Sequence, residues 1–175
     1  GTLGGSPSIQ GQGKYKIDAG HSTTIYNGEC VKISSGYVVG GNGSAADILG
    51  VLNGIFFNAA DTLKPTFSNF YKATITPANS EDTTAFVIDN PFQQYVVAAD
   101  AATGVATFLE TYDMNTSAGS DTTGKSSATL DIATTSADGK QFRMLRSAED
   151  PENEDATAVR HSVVVVSNLN SFNQV

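Results

Sequence analysis

Short runs that alternate apolar and polar residues dominate the chain from residue 14 onward. Such alternation predicts β-strands that bury one face. We expect strands at 14–18, 23–26, 29–34, 37–39, 48–57, 84–89, 94–100, 128–133, 141–147 and 160–167. Residues 101–111 have the apolar spacing of a short helix, which Gly104 weakens. The pattern therefore predicts an all-β fold, a compact antiparallel β-barrel or β-sandwich of about eight to ten short strands with at most one short helix.

Glycines mark the places where this pattern turns or bends. Asn27-Gly28 and Ser35-Gly36 separate consecutive strand candidates and predict tight hairpin turns. Gly50 and Gly54 lie inside the apolar run 48–57, where glycines indicate bulges or sharp bends. We therefore expect a meander near the start of the folded region, followed by a long and bent strand.

The first 13 residues differ from the rest of the chain. They are rich in Gly, Ser, Pro and Gln, carry no charged side chain, and contain Leu3 and Ile9 as isolated apolar residues. We interpret residues 1–13 as a flexible arm and residues 14–175 as a single β domain. The arm is either a disordered tail or a segment that becomes ordered on a neighbouring subunit.

Charge and composition argue against several classes of protein. The formal net charge is −8, whereas nonspecific nucleic-acid binding requires a basic surface. No apolar run approaches the roughly 18 residues of a membrane-spanning helix, and no signal-peptide pattern is present. Cys30 is the single cysteine, so no disulfide forms within the chain, and we expect it to be a small buried hydrophobic residue.

One segment matches a nucleotide-binding motif. Residues 119–126, GSDTTGKS, have the P-loop pattern of Gly, four residues and Gly-Lys-Ser. A working P-loop follows a buried strand and opens a helix whose N-terminus holds the phosphates. Here a polar segment precedes Gly119, a strand-like run follows Lys125, and Asp121 would repel phosphate. We therefore predict a surface loop with turns at Gly119 and Gly124.

No other motif nominates catalysis or a cofactor. The two histidines, His21 and His161, are far apart, and the chain has no nucleophile-elbow or metalloprotease motif. The acidic run 149–155 has five carboxylates in seven residues but lacks EF-hand spacing. This run is a solvated loop, a protein-interface loop or a calcium site. We expect no catalytic residue, no cofactor and no metal.

Several segments, taken in order, resemble the small capsid decoration, or cement, proteins of tailed bacteriophages, particularly those of marine phages. The resemblance covers roughly residues 14–168 and leaves the arm outside. Its segments are YKIDAGHSTTIYNGECVKI (15–33), ILGVLNGIFF (48–57) with the following Lys64-Pro65, AFVIDNP (85–91), QYVVAAD (94–100), TTGKSSATLD (122–131), and FRMLR (142–146) with the acidic turn and valine strand after it.

The resemblance implies a β-barrel or β-sandwich that sits on the outer capsid surface of the virion and performs no catalysis. Its implied partners are the major capsid protein and further copies of itself, in a trimer rather than a dimer. The chain would be made in the cytoplasm of the host bacterium. Two other functions stay open: another virion module, such as a head fibre base, tail component or receptor-binding domain, and a hydrolase with a scattered site.

The expected contacts with capsid or sister subunits come from the arm and the loop 147–156. Alternation places Arg143 on the face opposite Phe142 and Met144. If Arg143 and Arg146 face outward, they would pair with carboxylates across an interface. The candidate interface residues are Leu3, Ile9, Arg143, Arg146, Glu149, Asp150, Glu152, Asn153 and Glu154.

Overall fold

The structure is a computed structural model that describes residues 11–43, 47–116, 119–149, 151 and 155–172. Two 3-10 turns, Ala78–Ser80 and Val105–Thr107, are the helical elements of this part of the chain. No helix among the described residues is long and apolar enough to span a membrane. The strands are β1 (Gly13–Ile17), β2 (Cys30–Ser34), β3 (Tyr37–Gly40), β4 (Gly50–Asn58), β5 (Pro65–Ser68), β6 (Thr83–Ile88), β7 (Gln94–Ala98), β8 (Thr111–Met114), β9 (Leu130–Ser136), β10 (Phe142–Ser147) and β11 (Ser162–Ser167).

These strands form two antiparallel sheets, which confirms the predicted all-β class. One sheet has the order β1-β6-β4-β2-β3 with β5 beside β4, and the other has the order β7-β11-β10-β8-β9. The chain divides into two compact units that follow the sheets. The first unit contains β1 to β6 and the loop 119–127, and the second contains β7 to β11 and the segment around Ile48. The single domain expected over residues 14–175 stays a prediction.

The sheet of the first unit curls around an apolar core. Its end strands, β1 and β3, approach to within 8 Å between Cα atoms. Along β6, Thr83, Ala85 and Val87 point into the core, so Thr84 and Phe86 point to the outward face. The core side chains are at most 2% exposed: Ile17, Ile25, Val31, Val38, Leu49, Leu52, Ile55, Tyr71, Ala85 and Val87.

The second unit combines an apolar core with a buried polar connection between β8 and β10. Met144 on β10 pairs with Val165 on β11, and both are at most 1% exposed. Gln141 is fully buried, and its Oε1 accepts a hydrogen bond of 3.0 Å from the backbone N–H of Met114. Asp113 accepts the backbone N–H of Gln141 at 3.2 Å. The polar side chain of Gln141 thus satisfies a backbone donor that burial removes from water.

The predicted strands and the predicted helix differ from the structure at a few places. β5 begins with Pro65 and β8 has the polar sequence TYDM, so neither was predicted. Residues 23–26 form no strand; instead the backbones of Ile25 and Tyr71 exchange two hydrogen bonds of 2.9 Å. The expected helix within 101–111 is only the Val105–Thr107 turn. Short and polar strands escape prediction because their partners, rather than their own alternation, hold them extended.

Candidate binding surface

Three phenylalanines from adjacent strands share the outward face of the first sheet. Phe56 on β4 is the cross-strand partner of Phe67 on β5, and Phe86 on β6 is the partner of Gly54. The rings of Phe67 and Phe86 lie 6.0 Å apart between centroids and are tilted by 40°. Phe67 is 65% exposed and Phe56 is 38% exposed. Exposed apolar side chains that lie side by side indicate an interaction surface.

A β-bulge in β4 turns Phe56 outward. The register of β4 against β6 shifts between Leu52 and Gly54. As a result, Leu52 and Ile55 both point into the core although they are three residues apart. Strict alternation from Leu52 would have placed Phe56 inward and Ile55 outward. The irregularity expected at Gly54 is thus confirmed, and its effect is to expose a phenyl ring.

The backbone of Gly54 lies directly beneath the exposed ring of Phe67. Its φ angle is +153°, a conformation that favours glycine, and a Cβ atom there would lie 2.8 Å from Cζ of Phe67. The ring of Phe67 therefore lies directly over the backbone of Gly54 and reaches toward Phe86. Any side chain at position 54 would displace this ring, so the glycine determines the shape of the face.

Two lysines on β1 extend the aromatic residues into a longer surface. Lys16 is the cross-strand partner of Thr84, and Thr84 is the partner of Phe56. The pairing of Phe56 with Phe67 continues the same row onto β5. Neighbouring strands lie about 4.8 Å apart, so this row of four residues spans about 14 Å. One end of the row is cationic and the other end is aromatic.

The cations of this surface have no acidic partner among the described residues. Lys14, the cross-strand partner of Phe86, is exposed, and neither Lys14 nor Lys16 forms an ion pair in the part of the chain that the structure describes. Lys16 donates from Nζ to Thr84 Oγ1 at 3.2 Å. Glu81 and Asp82 line a shallow groove beside Lys16. The Phe–Lys face consists of Lys14, Lys16, Phe56, Phe67, Thr84 and Phe86.

Arg143, one of the predicted interface residues, is bound within its own chain. It lies opposite the buried Phe142 and Met144, as the alternation predicted. Its guanidinium donates to the backbone oxygen of Leu109 and, at 3.2 Å, to Asn168 Oδ1. Its Nη2 also lies 3.6 Å from Asp138 Oδ1. These contacts join β10 to the segments before β8 and after β11, so the guanidinium has a structural role.

The other predicted interface residues fall into two groups. Arg146 is exposed and donates to the backbone oxygen of Ser147 at 3.1 Å. Glu149 is exposed, and its backbone N–H donates to Ser147 Oγ at 3.2 Å. Arg146 and Glu149 belong to the second unit, whereas the Phe–Lys face belongs to the first unit. The remaining predicted residues lie outside the described residues: Leu3, Ile9, Asp150, Glu152, Asn153 and Glu154.

The GSDTTGKS segment is a loop of the first unit, as predicted. The backbone N–H of Asn27 donates to the oxygen of Gly124 at 2.8 Å. The hydroxyl of Tyr26 donates to Asp121 Oδ1 at 2.7 Å. The next regular element after the loop is the strand β9 and not a helix. The loop therefore lacks the helix N-terminus that would hold a phosphate.

The two glycines of this motif are explained by packing. A Cβ atom at Gly119 would overlap the backbone oxygen of Lys125 and the ring of Tyr26. Gly124 has a φ of +69°, and a Cβ atom there would overlap the ring of Phe70. The rings of Tyr26 and Phe70 lie nearly parallel, 5.9 Å apart between centroids. The backbone of the loop thus packs closely against the rings of Tyr26 and Phe70. This close packing requires glycine at positions 119 and 124.

Two titratable side chains of the first unit, His21 and Glu29, are partly buried. Burial lowers the pKa of His21, and the nearby charge of Asp18 partly opposes this shift. The hydroxyl of Tyr71 donates to the backbone oxygen of His21 at 2.9 Å. Burial raises the pKa of Glu29, although the backbone N–H of Tyr26 donates to its carboxylate at 2.9 Å. No group of three metal-ligating side chains comes together in the ranges that the structure describes.

Cys30 is buried and forms no disulfide bond, which confirms the prediction of a small buried residue. No family model, curated protein or solved structure matches this chain. Sequence reasoning missed the Phe–Lys face, although one signal was present: the adjacent Phe56 and Phe57 lie in one strand and cannot both point inward.

Proposed function

We propose that this chain is a viral structural protein, a capsid decoration protein of a tailed bacteriophage. It binds the outer surface of the shell formed by the major capsid protein and stabilises that shell. It acts as a binding protein and not as an enzyme. It forms a homo-oligomer, a trimer in preference to a dimer, on the virion surface.

The observation that carries this proposal is the exposure of Phe56 and Phe67 on a regular sheet. The ring of Phe56 is not needed to fill the core, because the bulge in β4 places Ile55 there instead, and Phe67 lies opposite Phe56 on the same outward face. A protein in solution rarely exposes neighbouring phenyl rings unless a partner covers them. Buried aromatic side chains are also the residues that most often dominate the affinity of protein interfaces.

The fold supports binding to a repeating lattice. The face is built on four hydrogen-bonded strands, β1, β6, β4 and β5, so its side chains are held in place before binding. Preorganisation lowers the entropic cost of association. A copy that also contacts its sister subunits gains avidity, because each contact with the shell raises the effective concentration of the next. The ordered series of segments that resembles decoration proteins gives independent support.

The number of copies in each virion tests this proposal. Quantitative mass spectrometry of purified virions, calibrated with isotope-labelled peptides, gives the ratio of this chain to the major capsid protein. A decoration protein is expected near one copy per capsid protein, or at another simple fraction set by the lattice. A ratio of a few per cent would instead indicate a fibre, tail or receptor-binding component. Absence from virions would refute a structural role.

A further inference from the structure

We propose that the Phe–Lys face binds a protein surface that presents a carboxylate beside an exposed apolar side chain. This inference rests on the proposed function and assigns the partner surface to the capsid shell. The carboxylate is bound at the β1 end of the face, by Lys14 and Lys16. The apolar side chain is covered at the β5 end, by Phe56 and Phe67.

The two lysines of β1 indicate that the partner presents a carboxylate to this end of the face. The chain has 18 acidic and 10 basic residues, so two adjacent cations on one strand depart from its overall composition. Lys14 and Lys16 occupy alternate positions of β1 and therefore point to the same side. The strand residues of this outward face include no Asp or Glu: Lys14, Lys16, Val51, Gly54, Phe56, Asn58, Phe67, Thr84, Phe86 and Ile88. An anionic group of a partner that contacts the strand residues of the face would therefore meet two cations, while Glu81 and Asp82 line the groove beside Lys16.

The order of residues along the cross-strand row places the partner's apolar side chain at the β5 end of the face. Lys16 and Phe67 stand at opposite ends of one cross-strand row, with Thr84 and Phe56 between them. A partner that covers the whole row must present its apolar group within about 14 Å of its anionic group. The phenyl rings lose exposed apolar area when covered, and the desolvation strengthens the neighbouring charge contact.

A protein partner fits this face better than single-stranded nucleic acid, which also combines aromatic stacking with cations. Nucleic acid would require a basic groove that follows several phosphates. Two lysines are present among the described residues of the face, Glu81 and Asp82 line the groove next to Lys16, and the net charge of the chain is −8. These carboxylates would repel the successive phosphates of a nucleic-acid backbone along the groove, whereas a partner with a single carboxylate needs to contact only Lys14 and Lys16.

The experiment compares the binding of full-length variants to phage heads that lack this protein. Bound and free chain are separated by sedimentation, at low and at high ionic strength. Phe67→Ser removes the aromatic end, and the double variant Lys14→Glu, Lys16→Glu reverses the charge of the cationic end. Val105→Ser is the matched apolar control, since Val105 is 83% exposed and lies in the second unit. Lys72→Glu is the control for charge, since Lys72 is exposed in the first unit.

We expect Phe67→Ser to bind at least about tenfold more weakly at both salt concentrations. The lysine double variant should bind about tenfold more weakly at low salt and approach wild type at high salt, because salt screens exposed charges. Both controls should bind like wild type. Far-UV circular dichroism confirms that every variant is folded, and Lys14→Gln, Lys16→Gln replaces the double variant if that one is not.

Four other outcomes would contradict the proposed function or this inference. Failure of wild-type protein to bind the heads would refute the proposed function. Binding of wild type that neither the Phe67 nor the lysine variants weaken would refute this inference alone. Loss of binding only with Phe67→Ser would show that the partner surface is purely apolar. Tight binding of a fluorescent single-stranded oligonucleotide, lost in the same variants, would show that the partner is a nucleic acid.

Discussion

Replacement of Gly124 by alanine tests whether the GSDTTGKS loop is a structural element. Gly124 has a φ of +69°, and its backbone is pressed against Phe70 and Asn69. The left-handed conformation costs an alanine about 1–2 kcal/mol. The overlap of the new methyl group with these side chains adds about 1–3 kcal/mol, because neighbouring residues must shift. We therefore expect Gly124→Ala to lower the free energy of unfolding by about 2–5 kcal/mol.

Two further variants serve as controls for Gly124→Ala. Gly28 has a φ of +79° and nothing within 4 Å of an added Cβ, so Gly28→Ala reports the backbone cost alone. The side chain of Lys125 is exposed and forms no ion pair within the described part of the chain, so Lys125→Ala should change stability by less than about 0.5 kcal/mol. In a working P-loop, Lys125→Ala would instead weaken the binding of nucleotide, since the lysine holds the phosphates.

Urea unfolding followed by far-UV circular dichroism measures these differences, and thermal unfolding provides a second reading. For a chain of this size, 1 kcal/mol corresponds to about 2–4 °C in the midpoint temperature. The reasoning would be refuted if Gly124→Ala were no more destabilising than Gly28→Ala. A rise of the wild-type midpoint with magnesium and ATP would also contradict it, because a bound nucleotide stabilises the folded state.

Three further predictions concern buried polar groups. Gln141→Ala should destabilise the protein by about 1–3 kcal/mol in urea unfolding, because the N–H of Met114 loses its acceptor in a dry site. The pKa of the His21 imidazole should lie below its usual value near 6.5 in proton NMR, with the signals assigned by a His161→Gln variant. Because burial disfavours the protonated imidazole, the protein should lose stability as the pH falls from 6.5 through the pKa of His21 in the folded state. Burial raises the pKa of Glu29, so the wild-type protein should lose stability relative to Glu29→Gln as the pH rises from about 4 to 7. If the difference in stability between the two proteins did not change with pH, the burial of Glu29 would be contradicted.

Most strands could be predicted because their own residues alternate. The runs that became β1, β4, β6, β10 and β11 each bury one face and carry β-branched or aromatic residues. The hairpin turn at Ser35-Gly36 joins β2 to β3 as predicted. In contrast, Asn27-Gly28 makes a turn without joining two paired strands, because the backbone of Asn27 pairs with the loop at Gly124. A partner almost a hundred residues away in sequence leaves no local signal.

The candidate surface could be predicted only in part. Gly54 indicated an irregularity, but the direction in which Phe56 points depends on whether one extra residue is inserted before it. Phe67 lies in a segment whose strand character comes from pairing with β4. Lys14 and Lys16 join these rings only because β1 pairs with β6, which is distant in the sequence. Register and strand order, which composition does not determine, create the Phe–Lys face.

The most direct test of the central claim is the chemical reactivity of lysines on intact virions. Brief acetylation of virions and of free protein, followed by mass spectrometry, gives the protection of each lysine on assembly. We predict strong protection of Lys14 and Lys16 and little change at Lys72, because the shell covers the Phe–Lys face. Equal reactivity of all three lysines in virions and in free protein would contradict the account.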